Sequence, residues 1–88
     1  MEFKLRIKKE ARKELDRVPI NIRRRIEEKI AELVTDPKGY GDKMNGFESR
    51  YKFRQGNYRV IYEVDDDQVI VIIVKIGTRG DVYKAGGG

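Results

Sequence analysis

Apolar positions along the chain change their period more than once. From Phe3 to Ile7 they alternate, with Phe3, Leu5 and Ile7 on one side and Lys4 and Arg6 on the other, the two-residue period of a strand. Ile7, Ala11, Leu15 and Val18 then recur near helical spacing, which predicts a helix from Lys8 to Arg17, broken by Pro19. Ile22, Ile26, Ile30, Leu33 and Val34 make a second helical stripe, surrounded by Arg23, Arg24, Arg25, Glu27, Glu28 and Lys29. Asn21 is its expected N-cap, and Asp36-Pro37 its stop, because a residue before proline is pushed out of helical geometry. From Lys38 to Glu48, "KGYGDKMNGFE" carries three glycines and no period, the signature of a loop.

Strand periodicity then returns. Arg50–Gln55 and Tyr58–Val64 alternate and meet at Gly56-Asn57, a two-residue hairpin turn. Asp65-Asp66-Asp67 forms the next turn, and Gln68–Ile76 is an apolar run without alternation, expected to be central and covered on both faces. "GTRGDVYK" reads as a terminal turn, and "AGGG" as a tail. The order β-α-α-β-β-β predicts an α+β fold, an antiparallel sheet with a two-helix hairpin packed on one face. One domain is expected over residues 1–84, with a glycine-rich tail at 85–88.

Composition narrows the chemistry. The 88 residues contain neither cysteine nor histidine. Disulfides, thiolate nucleophiles, histidine-ligated zinc and serine-protease triads are therefore excluded. Acid–base chemistry must run without the side chain that ordinarily titrates near neutrality. The charged start "MEFKLRIKKE" is unlike a signal peptide, and Val69–Ile76 is far shorter than the roughly 20 residues of a membrane helix, so a cytoplasmic protein without a membrane partner is expected. A net charge of +5 favours a polyanionic partner, with nucleic acid foremost and an acidic protein next.

The stretch "YKFRQGNYRV" crowds three cations together with no acid between them. Alternation puts Tyr51 and Phe53 on one face and Lys52 and Arg54 on the other. On the next strand Tyr58, Val60, Tyr62 and Val64 part from Arg59, Ile61 and Glu63. With the greasy sets against the helices, Lys52, Arg54 and Arg59 share the open face. Charge on an exposed sheet face is ordinary, but cations opposite one another cost a few tenths to about 1 kcal/mol per pair. A face indifferent to ligands would interleave acids. Arg79 and Tyr83, just past the last strand, can join this set: arginine forks match phosphate geometry, and a tyrosine ring can stack on an RNA base. Asp65-Asp66-Asp67 is a polar turn rather than a metal site, since adjacent strand carboxylates cannot all face one ion. No metal or cofactor is expected.

The stretches "KMNGFESRYKFRQGNYRVIYEV" and "IGTRGDVYK" resemble the RelE toxins of the RelE/ParE toxin–antitoxin superfamily, as does the order of elements. The resemblance covers the chain except its glycine tail. It implies a ribosome-dependent mRNA endoribonuclease acting in the A site, in contact with 16S rRNA and restrained by a cognate antitoxin protein. The positions that match the family's functional residues are Lys52, Arg54, Arg59, Arg79 and Tyr83. Position 54 is arginine where the best-known relatives carry lysine, and position 78 is threonine where many carry histidine. In such chemistry the RNA 2′-hydroxyl attacks the adjacent phosphate, so the enzyme need only orient the backbone, neutralise charge and move two protons. Arginine never serves as a base, which makes Arg54, Arg59 and Arg79 phosphate clamps and leaves Lys52 and Tyr83 as proton carriers. Crowded cations favour neutral lysine and ionised tyrosine, so repulsion in the patch is itself a device. Two other readings stand beside this one: a ParE-like toxin that poisons gyrase, and a basic binding module without activity.

Overall fold

A computed structural model of the protein describes residues 2–78. Its elements are β1 (Lys4–Ile7), α1 (Lys9–Arg17), α2 (Ile20–Leu33), α3 (Pro37–Tyr40), β2 (Asp42–Lys43), β3 (Arg50–Gln55), β4 (Tyr58–Asp65) and β5 (Ile70–Thr78). The α+β architecture with a helical hairpin on one sheet face is as the periodicity predicts.

Helix boundaries follow backbone geometry more than side-chain capping. Pro19, with φ −52° and ψ 141°, is the N-cap of α2, and its carbonyl accepts the Arg23 N–H at 2.8 Å. Asn21, the expected cap, lies inside the helix instead. The reason is that proline's fixed φ already supplies the extended geometry an N-cap needs. Asp36-Pro37 does follow the end of α2, but it also starts something: Pro37 opens the one-turn α3, and Asp36 Oδ1 accepts the Gly39 N–H at 3.3 Å. The segment read as a plain loop therefore holds a short helix and a two-residue strand.

The sheet has five strands in the order β1-β5-β4-β3-β2. Three pairings are antiparallel, and β1 runs parallel to β5 with Leu5 opposite Val71 and Ile7 opposite Ile73. β5 is an interior strand, between β1 and the middle strand β4, and contrary to expectation it is not covered on both faces. Val71, Ile73 and Ile76 are buried, whereas Ile70, Ile72 and Val74 are half-buried, because the helices lie on one face only. Between Ile61 and Tyr62 the β4–β5 register slips: Tyr62 faces Ile73 and Ile61 faces Lys75, so Val74 is extra. The bulge changes the phase of β5 and turns both Ile73 and Ile76 to the core.

That core joins Ala11, Leu15 and Val18 with Ile26, Ile30 and Leu33 against Tyr51, Phe53, Val60, Tyr62, Val64, Val71, Ile73 and Ile76. It contains no buried charged residue among those described. None of the described helices is long and apolar enough to cross a membrane.

Candidate active site

The open face of the sheet is built by the β3–β4 hairpin. Gly56 has φ +61° while Asn57 does not enter the left-handed region, the pattern of a type II′ turn, whose twist suits the flanking strands. This turn fixes the register: Gln55 faces Tyr58, Arg54 faces Arg59, Phe53 faces Val60, Lys52 faces Ile61 and Arg50 faces Glu63. The two arginines are thus direct cross-strand neighbours, within the ~4.5–5.5 Å Cβ spacing of such pairs. Lys52 stands two residues from Arg54, on the same side of the same strand.

Lys52, Arg54 and Arg59 converge, as the alternation predicts. Together with Asp42 and Phe53 they line a cleft of about 440 Å³. Arg54 is exposed, Lys52 and Arg59 are half-buried, and the Nε of Arg59 is shielded from solvent. Arg79 and Tyr83 lie outside the described residues.

Several acids around the cleft pair with cations that do not line it. Glu63 is taken by Arg50, whose Nη2 and Nε donate to Oε2 at 2.6 and 3.1 Å. Glu14 of α1 pairs with Lys75 and also accepts the Ile76 N–H at 3.1 Å, next to the bulge. Lys38 pairs with Asp66 in the β4–β5 turn, which raises the Lys38 pKa. Lys29 of α2 donates to the Arg54 carbonyl at 3.1 Å and so ties the helix layer to β3 behind the cleft.

Asp42 is the lining residue that sequence reading missed. It enters through β2, which pairs antiparallel with β3 and sets Asp42 opposite Lys52. The segment leading to it is pinned by Tyr62. The Tyr62 hydroxyl donates to the Pro37 carbonyl at 2.6 Å and accepts the Gly41 N–H at 2.9 Å. Burial, as the main cause, pushes the Tyr62 pKa up to about 12. Gly41 is obligatory here, since a Cβ on it would stand 2.5 Å from Tyr62 Oη and 2.6 Å from the Lys52 carbonyl. The two glycines around Tyr40 were the one hint in sequence of such a close approach. Among the described residues no cluster of carboxylates is placed to hold a metal ion.

Chemically, the cleft can grip a phosphodiester with two guanidinium forks and present an ammonium beside it. Residues 5–83 match the family described as "ParE toxin of type II toxin-antitoxin system, parDE". The mRNA interferase toxin RelE of Escherichia coli K12 is 28% identical over 96% of this chain and 93% of its own length. A free-state mutant of E. coli toxin RelE superposes with a TM-score of 0.85 at 26% identity, covering 96% of this chain and 93% of that one. The archaeal RelE–RelB complex from Pyrococcus horikoshii OT3 superposes with a TM-score of 0.77 at 30% identity, covering 91% and 98%. The chain accordingly belongs to the RelE/ParE superfamily as a toxin of a type II toxin–antitoxin system.

Proposed function

We propose that this toxin is an endoribonuclease that cuts mRNA in the ribosomal A site through attack of the RNA 2′-hydroxyl. The observation that carries the proposal is the convergence of Lys52, Arg54 and Arg59 on one cleft, with Arg54 directly opposite Arg59. Two opposed guanidinium groups suit the doubly charged phosphorane through which such a displacement passes. Because the RNA carries its own nucleophile, the reaction needs neither an enzyme nucleophile nor a metal.

In this reading Arg54 and Arg59 clamp the phosphoryl oxygens, with Arg79 as a third clamp. Lys52 carries a proton, and Tyr83 serves as a base or as a stacking platform for a splayed nucleobase. The likeness to E. coli mRNA interferase RelE supports the substrate class. By the same reasoning the partners are mRNA on the ribosome, 16S rRNA around the A site and a cognate antitoxin, as RelB accompanies the P. horikoshii relative. The place of action is then the cytoplasm.

The test is to add the protein to a reconstituted translation reaction and map mRNA 5′ ends. Cuts within A-site codons, leaving 2′,3′-cyclic phosphate and 5′-hydroxyl termini, are expected. Intact mRNA together with gyrase-dependent DNA breaks would instead make it a ParE-like poison.

A further inference from the structure

We propose that Asp42 is the base that accepts the 2′-hydroxyl proton, and that Lys52, its cross-strand neighbour, is the acid that protonates the leaving 5′-oxygen. This assignment rests on the ribonuclease reading above.

Four observations converge on it. Among the described residues, Asp42 is the one carboxylate that lines the basic cleft, beside Lys52, Arg54 and Arg59. Register sets it directly opposite Lys52, so the two side chains project from the same face. Among the described residues it enters no ion pair, whereas Glu14, Glu63 and Asp66 each neutralise a cation elsewhere. The backbone immediately before it is fixed: the Gly41 N–H is held by Tyr62 at 2.9 Å, and Gly41 has no room for a side chain.

Elimination points the same way. The chain has no histidine or cysteine. Arginine does not give up its proton, and lysine and tyrosine ordinarily hold theirs to about pH 10. A carboxylate is ionised throughout the neutral range and accepts hydrogen bonds only, which is what a 2′-hydroxyl requires.

The step balances as follows. The 2′-O–H proton passes to an Asp42 carboxylate oxygen as the 2′-oxygen forms a bond to phosphorus. The bond from phosphorus to the 5′-oxygen breaks, and that oxygen takes a proton from Lys52 Nζ. The products are a 2′,3′-cyclic phosphate and a 5′-hydroxyl. Asp42, now a neutral acid, returns its proton to the neutral Lys52 amine, and both groups regain their starting states without water or metal. Tyr83 is left to stacking.

Asp42→Asn keeps the shape of the side chain and removes the base, while Asp42→Glu keeps the base one methylene further out. Single-turnover cleavage on programmed ribosomes, toxin binding to the same ribosomes and the pH–rate profile are to be measured for both. For Asp42→Asn the expected result is a rate loss of ~10²-fold or more, with ribosome affinity changed less than ~3-fold. Its rate should also rise with pH between 6 and 8.5, as hydroxide replaces the missing base, where the wild-type rate stays flat. Asp42→Glu should recover to within ~10-fold of wild type. The assignment is overturned if Asp42→Asn cleaves within ~3-fold of wild type, or if its loss lies in binding rather than rate. A wild-type chain that binds ribosomes without cutting mRNA would overturn the ribonuclease reading itself, a distinguishable result.

Discussion

Replacing Tyr62 by phenylalanine removes one oxygen atom from the centre of the protein and tests how the cleft is held. Tyr62 is fully buried, and its hydroxyl bridges the Pro37 carbonyl at 2.6 Å and the Gly41 N–H at 2.9 Å. Phenylalanine keeps the ring, hence the stack on Tyr51 at 5.7 Å, but strands both backbone groups. An unsatisfied buried polar group costs ~1–3 kcal/mol. Pro37 is buried and bears the full cost, whereas Gly41 is half-buried and can recruit water. The expected loss is therefore about 2–4 kcal/mol, or about 10–20 °C in Tm for a domain of this size. Urea titration with an unchanged m-value measures it. A loss below about 0.5 kcal/mol would show that the bridge does not hold the segment.

The same variant has a pH signature of known sign. Burial holds the Tyr62 pKa up at about 12, against 10.0 for a free phenol. The folded chain thus keeps a proton that the unfolded chain releases. The resulting stability is complete below pH 10 and falls away as pH rises from 10 to 12. At 1.36 kcal/mol per pKa unit the fall attributable to Tyr62 is about 2–3 kcal/mol. Tyr62→Phe lacks that component, so the stability gap between wild type and variant should narrow over this window. A gap independent of pH would refute the assignment.

Gly41→Ala should lower stability by ~1–3 kcal/mol and reduce cleavage together, since its Cβ must push on Tyr62 Oη and on the β3 backbone; calorimetry and the ribosome assay check both. Arg54→Thr should raise stability by a few tenths to ~1 kcal/mol at low salt by relieving the pair with Arg59, while cutting activity. That gain should shrink at 1 M salt, where charges are screened beyond ~3 Å, and a destabilised variant would count against the opposed-pair reading. Glu14→Ala should cost ~2 kcal/mol by losing both the Lys75 ion pair and the Ile76 N–H bond, and Glu14→Gln only about half of that, as read by denaturant titration.

What the sequence disclosed and what it hid divide by range. Lys52, Arg54 and Arg59 could be placed on one face because strand alternation and the Gly56-Asn57 turn are local signals, and together they fix register. The parallel pairing of β1 with β5 leaves no such mark, since it joins opposite ends of the described chain. The bulge at Ile61/Tyr62 is equally silent: nothing in "VIIVKI" says that Val74 is the extra residue. Asp36-Pro37 was legible as a helix stop but not as the start of α3, because proline is welcome at a first helical position and the four residues carry no period. Asp42 stayed hidden for a related reason. A two-residue strand has no alternation to detect, and its importance comes from a tyrosine twenty residues away in sequence.

The distribution of acids explains how a small protein tolerates such a face. Were the open face arranged for stability, a carboxylate would stand opposite Arg54 or Arg59. The register instead sets Arg54 against Arg59, and Arg59 between Arg54 and Gly77. Glu63 is spent on Arg50, further along the hairpin from the turn, where it neutralises a cation outside the cleft. The repulsion that remains is worth at most ~1 kcal/mol. Burial on the opposite face is worth far more: Tyr62, Val60, Val71 and Ile73 are fully buried there, at ~1.5–3 kcal/mol for each large apolar side chain. On the proposed ribonuclease reading, stability and ligand binding therefore reside on opposite faces of the same strands, separated by the two-residue alternation. Substitutions on the cationic face should therefore change activity by orders of magnitude while moving Tm by only a few degrees, and those on the helix-facing side should do the reverse.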